Sequence, residues 1–273
     1  MKAAPAGLLF GALLIAALTA LPAAAQAPAQ DRLAAVLKSG VLRVGITQDT
    51  PPLSMSKPDG SVEGLDIDML DSLSKAMGVK IVLVKTSLAV LLDSLQRDTF
   101  DISLGGGSVT YERAKLATFS KPYMHIGKLL MIRAADRDKY KSFADLDRPG
   151  LKIAYNQGGV NDRFVHANFK QATPVGFASN ALATPALIGS EVDAQVSDST
   201  AGLYDVKEDS RLALIDPDHP IDPIFLAVLM HRGDQSMADF INVWIDQILL
   251  DGTMTRIRSK WVGNGTAPDT APP

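Results

Sequence analysis

The segment 101–123 combines residue types that bind small anions. An apolar run ends in the three glycines 105–107, hydroxyl groups follow at Ser108 and Thr110, and a guanidinium group follows at Arg113. Glycines let a ligand approach the backbone, hydroxyls and amides donate hydrogen bonds directionally, and the arginine fork matches a carboxylate with two parallel bonds. The pattern predicts a carboxylate-binding site. A strand, a turn and an exposed arginine without a ligand form the alternative that these residues alone leave open.

Ahead of Arg113 the chain alternates between helices and strands. Apolar spacing and glycine stops predict helices over 31–39, 65–77 and 86–98, and strands over 41–46, 79–84 and 100–104. Two consecutive prolines predict a loop at 47–52. This alternation is typical of parallel β-α-β units, in which ligands bind beyond the carboxyl ends of the strands. We therefore expect the loops after the first and third strands to face one site.

A second series of the same signals begins near residue 143. The segment 143–155 repeats the order of 33–45, and 183–198 repeats the order of 91–104. We infer an α/β fold of two lobes with similar architecture, in which each lobe holds a mixed, mostly parallel sheet. Small-molecule sites favour the cleft between two such lobes.

Two apolar runs, 129–132 and 226–230, are predicted to be crossing hinge strands between the lobes, and helices at 237–250 and 254–261 return to the first lobe. The predicted domain boundaries are 1–25 for a signal peptide, 26–132 and 227–262 for lobe 1, 133–226 for lobe 2, and 263–273 for a disordered tail.

The first residues have the pattern of a secretory signal peptide. Lys2 precedes an apolar run at 8–21 that is too short to span a bilayer, and three alanines at 23–25 fit a cleavage site. A membrane anchor is the alternative, but no charged segment follows the run and no cysteine is present to take a lipid. We expect a soluble periplasmic protein that starts near Gln26.

Composition excludes several classes of partner. Without Lys2 the chain would carry 26 basic and 30 acidic groups, a net charge of −4, which does not favour nucleic acid or an anionic membrane. The absence of cysteine excludes disulfides and thiolate metal sites. The four histidines lack the spacing of metal ligands. We expect no metal, no cofactor and a monomer.

Two segments carry a resemblance to a known family. Ser108-Val-Thr-Tyr-Glu-Arg-Ala-Lys is followed by Phe119-Ser-Lys-Pro-Tyr, which is similar to the signature of the periplasmic solute-binding proteins of ABC transporters, in the group that carries polar amino acids. The segments 41–45, 64–68 and 194–198 match that family in place and order, so the resemblance covers nearly all of the chain after residue 25. It implies the two-lobed periplasmic-binding-protein architecture, with two crossing hinge strands between the lobes.

The resemblance implies roles for individual residues. Arg113 would bind the α-carboxylate of the ligand with help from Ser108, while the Gly106 carbonyl and Asp198 would bind its α-ammonium group. Together these two kinds of ion pair orient a zwitterion. For Asp198, capping of a helix that begins at Ser199 is the alternative.

Three positions depart from the family pattern. Thr50 and Leu53 stand where an aromatic pair is usual, and Val160 stands where a hydroxyl residue usually assists the carboxylate. The backbone amides of Gly159, Val160 and Asn161 could still bind an anion at a helix N-terminus. We therefore expect no aromatic sandwich, and a ligand unlike the common polar amino acids.

The segment 156–170 is similar to the cyclohexadienyl dehydratases, exported enzymes on the same fold that act on prephenate and arogenate. Those enzymes place a glutamate shortly after the lobe-2 aspartate and a tryptophan in lobe 1, where this chain has Ala201 and Leu88. Elimination of a hydroxyl group needs a general acid. The dehydratase is therefore the less favoured hypothesis, and we expect a binding protein rather than an enzyme.

The function expected from the sequence is capture of an amino acid or related small carboxylate and its delivery to the membrane subunits of an ABC permease. Hinge closure is the usual motion of this architecture. A sensor module on the same fold is a third hypothesis, which the sequence does not separate from a transport component.

Overall fold

The computed structural model describes Met1 and residues 31–105 and 107–263. The rest of the predicted signal peptide, the predicted tail beyond Gly263, and Gly106 lie outside the described residues. No helix in the described ranges combines the length and the apolar composition needed to cross a bilayer.

The described residues form twelve strands and ten α-helices. The strands are β1 (Val41–Ile46), β2 (Asp49–Thr50), β3 (Ser54–Ser56), β4 (Val62–Glu63), β5 (Lys80–Lys85), β6 (Ile102–Ser103), β7 (Ala117–Arg133), β8 (Lys152–Asn156), β9 (Thr173–Phe177), β10 (Ala194–Asp198), β11 (Leu212–Ile215) and β12 (Ile221–His231). The helices are α1 (Arg32–Ser39), α2 (Leu65–Met77), α3 (Leu91–Gln96), α4 (Tyr111–Ala114), α5 (Phe143–Leu146), α6 (Val160–Asn168), α7 (Asn180–Ile188), α8 (Ser199–Glu208), α9 (Gln235–Leu250) and α10 (Thr253–Val262).

Nine strands join in one curled mixed sheet with the order β5-β1-β6-β12-β7-β10-β8-β9, and β11 also pairs with β7. The pairs at the two ends, β1 with β5 and with β6, and β8 with β9 and with β10, are parallel. In the middle, β7 is antiparallel to β12, β10 and β11. The α/β two-lobed fold class is thus confirmed, with β7 and β12 as the strands shared by both halves.

The buried side chains separate into two regions. One core joins α1, α2, α9 and α10 to the strands β1, β6 and β12, and we call this part lobe 1. Two further clusters cover both faces of the strand β8, one of them also including residues of β10, and we call that part lobe 2. The helix α9 contributes an apolar face to the lobe-1 core, because Met237, Ile241, Trp244 and Ile248, which recur at helical spacing, are all buried. The exact lobe boundaries stay a prediction.

Local rules explain several element ends. Asp31 accepts a hydrogen bond from the Ala34 amide at 3.0 Å and so caps α1, and both α1 and α2 end at glycines with left-handed backbone, Gly40 and Gly78. At Gly64, which precedes α2, a Cβ atom would lie 2.2 Å from the Leu53 carbonyl oxygen. Only glycine therefore permits the close packing of the loop before Leu53 on the start of α2.

Some elements differ from the sequence prediction. The helix expected at 86–98 is only α3, and residues 86–90 form a loop before it. The strand β7 begins at Ala117, twelve residues before the predicted run at 129–132. The sequence does not indicate this longer strand, because Pro122 and Gly127 interrupt its apolar pattern. Pro122 is accommodated where the β12 register shifts around Ala227. The edge strand β9 was missed for the same reason, since it contains Pro174.

A buried carboxyl group lies at the first turn of α2. The side chain of Asp66 has no exposed surface, its Oδ1 atom accepts from the Tyr123 hydroxyl at 3.2 Å, and its Oδ2 atom has no partner. Burial raises the pKa of Asp66 from 3.8 to about 7, while the hydrogen bonds from Tyr123 and the Gly105 amide oppose this rise. The folded protein therefore binds this proton more tightly than the unfolded chain does.

Because the pKa is raised on folding, the unfolding free energy loses the contribution of Asp66 as the pH rises from about 4 through 7. We expect Asp66→Asn, which cannot ionise, to gain stability relative to the wild type over this interval by on the order of 2 to 4 kcal/mol. Urea unfolding at pH 4, 6 and 8 measures the difference. Asp71→Asn, an exposed residue of the same helix, is the control, and a difference for Asp66→Asn that does not vary with pH would contradict this assignment.

Candidate functional site

A cleft of about 440 Å³ lies between loops of the two lobes, beyond the carboxyl ends of the strands β1, β8, β9 and β10. Ten of the eleven predicted site residues line it, and the eleventh, Gly106, lies outside the described residues. The ten are Thr50, Leu53, Leu88, Ser108, Thr110, Arg113, Gly159, Val160, Asn161 and Asp198. The structure thus brings these residues together, and their individual roles stay predictions.

Arg113 is positioned by the short helix α4 and by the strand β12. Thr110 caps α4, since its hydroxyl oxygen accepts from the Arg113 amide at 3.2 Å. Nη1 of Arg113 donates to the Ser108 carbonyl at 2.9 Å. The loop is in turn fixed to β12, because Ser108 forms a bridge with Leu226 and the Val109 amide donates to the Phe225 carbonyl at 2.9 Å. The Nη1 atom of the guanidinium group is therefore bound to the protein, and the remaining N–H groups are available to hydrogen-bond a ligand.

The charge of Arg113 is not neutralised within the described part of the chain. No carboxylate there lies within ion-pair distance of its guanidinium group, which is half-buried. Burial lowers the pKa of Arg113, and repulsion from Arg163 across the cleft lowers it further. A cation that is partly removed from water and has no counter-ion is a favourable partner for an anionic ligand.

Three helices of lobe 2 begin at the cleft. The residues before and at the first turns of α6, α7 and α8 line it, among them Gly159, Ser179 and Asp198. Because β8, β9 and β10 are all followed directly by these helices, their N-terminal amides lie along the same wall. Helix N-termini carry partial positive charge and unpaired N–H groups. This wall of the cleft is therefore suited to a negatively charged group.

Asp198 forms a buried ion pair with Lys128. The two residues are cross-strand neighbours on β10 and β7, and the Lys128 Nζ atom lies 2.5 Å from Oδ1 of Asp198. The lysine side chain is fully buried, whereas that of Asp198 is 25 % exposed. Asp198 occupies the N-cap position of α8, but its side chain makes no capping hydrogen bond. The capping alternative is therefore wrong for this side chain.

Two charged residues of this region were not predicted to take part in a site. Lys128 is the one polar side chain in the segment 126–132, and a lone lysine in such a run is a signal for a buried pair. Arg163, the fourth residue of α6, also lines the cleft. Nothing in its sequence context distinguishes it from an arginine on a solvated helix face.

The remaining walls are apolar or neutral. Ala201 lies in the cleft next to Thr200, and the larger apolar side chains that line the cleft are Leu53, Leu88, Leu92, Ile126, Val160 and Leu226. Within residues 31–105 and 107–263, no aromatic side chain lines the cleft. The ionisable side chains there are Asp49, Glu112, Arg113, Arg163 and Asp198. The described residues contain no group of three or more His, Asp or Glu side chains placed to bind a metal ion.

The match to known proteins covers most of the chain. Residues 42–264 match the model of the bacterial extracellular solute-binding proteins, family 3. A cyclohexadienyl dehydratase from Pseudomonas aeruginosa is 29 % identical over 91 % of this chain and 92 % of its own. An ABC transporter arginine-binding protein from Escherichia coli is 23 % identical over 81 % of this chain and 90 % of its own. The crystal structure of an ancestral amino acid-binding protein, described as a precursor of cyclohexadienyl dehydratase, is 32 % identical, with a TM-score of 0.78 and coverage of 85 % and 99 %.

The ion pair of Lys128 and Asp198 predicts an asymmetric response to mutation. Asp198→Asn leaves a fully buried ammonium group without a counter-ion, and removing one partner of such a pair costs about 3 to 5 kcal/mol. Lys128→Met leaves a carboxylate that water still reaches, so we expect a loss of about 1 to 2 kcal/mol. Urea unfolding of both variants and of the double variant measures these differences. The double variant should lose less than the sum of the two, and an additive result would show that the two charges do not interact.

Proposed function

The chain belongs to the bacterial extracellular solute-binding proteins, family 3, and we propose that it captures an amino acid or a related small carboxylate in the cleft between its lobes. The observation that carries this proposal is the half-buried guanidinium group of Arg113, which lines the cleft without a carboxylate partner among the described residues. One carboxylate of the ligand would complete that pair.

The roles of the other lining residues follow from their contacts. Ser108 and Thr110 position Arg113, and the Ser108 hydroxyl group would donate to the ligand, whereas the Thr110 hydroxyl group hydrogen-bonds to the Glu112 carboxylate. The amides of Gly159, Val160 and Asn161 lie at the N-terminus of α6 and face the same space. Asp198 has one oxygen bound to Lys128, so only Oδ2 is left for an ammonium group of the ligand. Thr50, Leu53 and Leu88 would bound the ligand without stacking on it.

Transport is the second part of the proposal. Relatives of this chain include binding proteins of ABC transporters, and we propose that the ligand-bound form is recognised by the membrane subunits of an ABC permease. The strands β7 and β12, which both lobes share, would be the hinge, with lobe 1 formed by 26–132 and 227–262 and lobe 2 by 133–226. The protein would act as a monomer in the periplasm after removal of residues 1–25.

Substitution of Arg113 tests the carboxylate site. Arg113→Ala removes a desolvated charge pair worth about 2 to 5 kcal/mol, so affinity for any carboxylate ligand should fall at least about 30-fold. Arg113→Lys keeps the charge but not the planar fork, and it should recover only part of the loss. Isothermal titration calorimetry with ligands found in a thermal-shift screen of amino, oxo and dicarboxylic acids measures the effect.

Arg97→Ala is the matched control, because Arg97 is an exposed arginine at the end of α3 and does not line the cleft. It should bind like the wild type. The proposal fails if no carboxylate stabilises the wild-type protein, or if Arg113→Ala binds as tightly as the wild type does.

The dehydratase hypothesis is the second candidate, because a cyclohexadienyl dehydratase matches this chain over 91 % of its length. The cleft argues against it. Ala201 supplies no proton donor, Asp198 is bound to Lys128, and the other two lining acids, Asp49 and Glu112, are exposed. Protonation of a leaving hydroxyl group requires an available acid within hydrogen-bond reach.

We therefore expect the purified protein not to convert prephenate to phenylpyruvate. Ultraviolet absorbance of the product measures turnover, with the Pseudomonas aeruginosa dehydratase as the positive control. Turnover at a rate comparable to the control would make the protein an enzyme and would require another proton donor in the cleft.

A further inference from the structure

We propose that the ligand carries two carboxylate groups, one bound by Arg113 of lobe 1 and the other by Arg163 of lobe 2. This inference rests on the proposed function, because it names the class of ligand for the same cleft. It makes Arg163 a residue that determines specificity, which neither the sequence motif nor the family signature assigns.

The first observation is the position of Arg163. It lies in the first turns of α6, lines the cleft from lobe 2, and contributes to lowering the pKa of Arg113 in lobe 1. Two arginines therefore face one space from opposite sides and repel each other. Repulsion between like charges opposes closure of the lobes unless anions enter between them.

The second observation is that neither arginine has a counter-ion within the described residues. No carboxylate of residues 31–105 and 107–263 lies within ion-pair distance of the Arg113 or Arg163 guanidinium group. Glu112 is close enough for Arg163 to lower its pKa, but it is exposed and makes no ion pair. Water screens a charge of that kind. Arg163 is exposed as well, so Glu112 offsets its charge only weakly, whereas the guanidinium group of Arg113 is half-buried.

The third observation concerns the acids of the inner cleft. Asp198 is the lining acid on the lobe-2 wall, and the ammonium group of Lys128 already neutralises it. Asp162, in the first turn of α6, does not line the cleft; it accepts from the Gly158 amide at 2.9 Å and lies 3.3 Å from His166. The lining charge of the lobe-2 wall that has no ion-pair partner among the described residues is therefore Arg163, beside the N-termini of α6, α7 and α8 with their partial positive charge.

A buried polar group on the same wall also lacks a partner. Asn161 is 1 % exposed and lines the cleft, and its side-chain amide donates to Asn156 at 2.9 Å while its Oδ1 atom accepts nothing. Buried polar atoms in folded proteins nearly always have a partner. The atom without a partner is an acceptor, so this wall is completed by a hydrogen-bond donor of the ligand, such as an ammonium or hydroxyl group, beside the carboxylate that Arg163 would bind.

Matched pairs of ligands test the proposal directly. Each pair has the same length and differs only in whether the second end is a carboxylate or a neutral amide: succinate and succinamate, glutarate and glutaramate, aspartate and asparagine, glutamate and glutamine. We expect the wild type to bind the diacid of at least one pair tenfold or more tightly than its amide by calorimetry. We expect Arg163→Gln to bring that ratio to within about twofold, with little change in the affinity for the amide.

Two further variants separate this role from others. If Arg163 acted only by attracting Glu112 during closure, Glu112→Gln would weaken binding of acid and amide alike and Arg163→Gln would do the same, which would overturn the proposal. We expect Glu112→Gln to keep the preference for the diacid. Arg148→Gln, an exposed arginine outside the cleft, is the charge-matched control.

The outcomes distinguish this inference from the proposed function. If monocarboxylates and amides bind and the second carboxylate adds nothing, the cleft is a carboxylate site but Arg163 does not select the ligand. If no member of any pair stabilises the wild type, both proposals fail. A tenfold preference that survives in Arg163→Gln would also refute the role of Arg163.

Discussion

The pairing of β7 with β12 is the constraint on which the rest of the structure depends. These two antiparallel strands are the only part of the main sheet, within the described residues, that connects the parallel strands of one lobe to those of the other. The bridge between Ser108 and Leu226 fixes the Arg113 loop to β12, and the pair of Lys128 and Asp198 fixes the start of α8 to β7. Both candidate walls of the cleft are thus anchored on the same two strands.

This arrangement explains how a polar cleft can exist between two apolar cores. The strands are buried on their faces, so their stability comes from packed side chains and complete backbone pairing. The loops at the carboxyl ends of these strands do not need buried apolar side chains or complete backbone pairing. Glycines, hydroxyl groups and charged side chains are therefore tolerated there. The cost of placing Arg113 without a counter-ion is small compared with the burial of either core, and a ligand can recover it on binding.

The sequence determines local structure where a single rule dominates. The bounds of β1 and α2 were predicted as they are observed, because apolar periodicity and the left-handed glycines Gly40 and Gly78 agree at their ends. The length of β7 could not be predicted, since Pro122 is tolerated only where the partner strand shifts its register, a property of the pair and not of either segment. In the site, the Arg113 loop was found from its own residues. Lys128 and Arg163 were not found in this way. The role of Lys128 depends on its ion pair with Asp198, seventy residues away, and the role of Arg163 depends on the lobe that faces it across the cleft.

The lobe-1 core has a consequence for the order in which the chain folds. It contains Val36 near the beginning of the described residues and Trp261 near their end, whereas the lobe-2 clusters contain only residues between 130 and 215. Contacts between distant parts of a chain require a larger loss of entropy before they form, and they slow folding. As the chain is synthesised from its N-terminus, lobe 2 can complete its contacts while α9 and α10 are still missing from lobe 1. The core that starts first is therefore finished last.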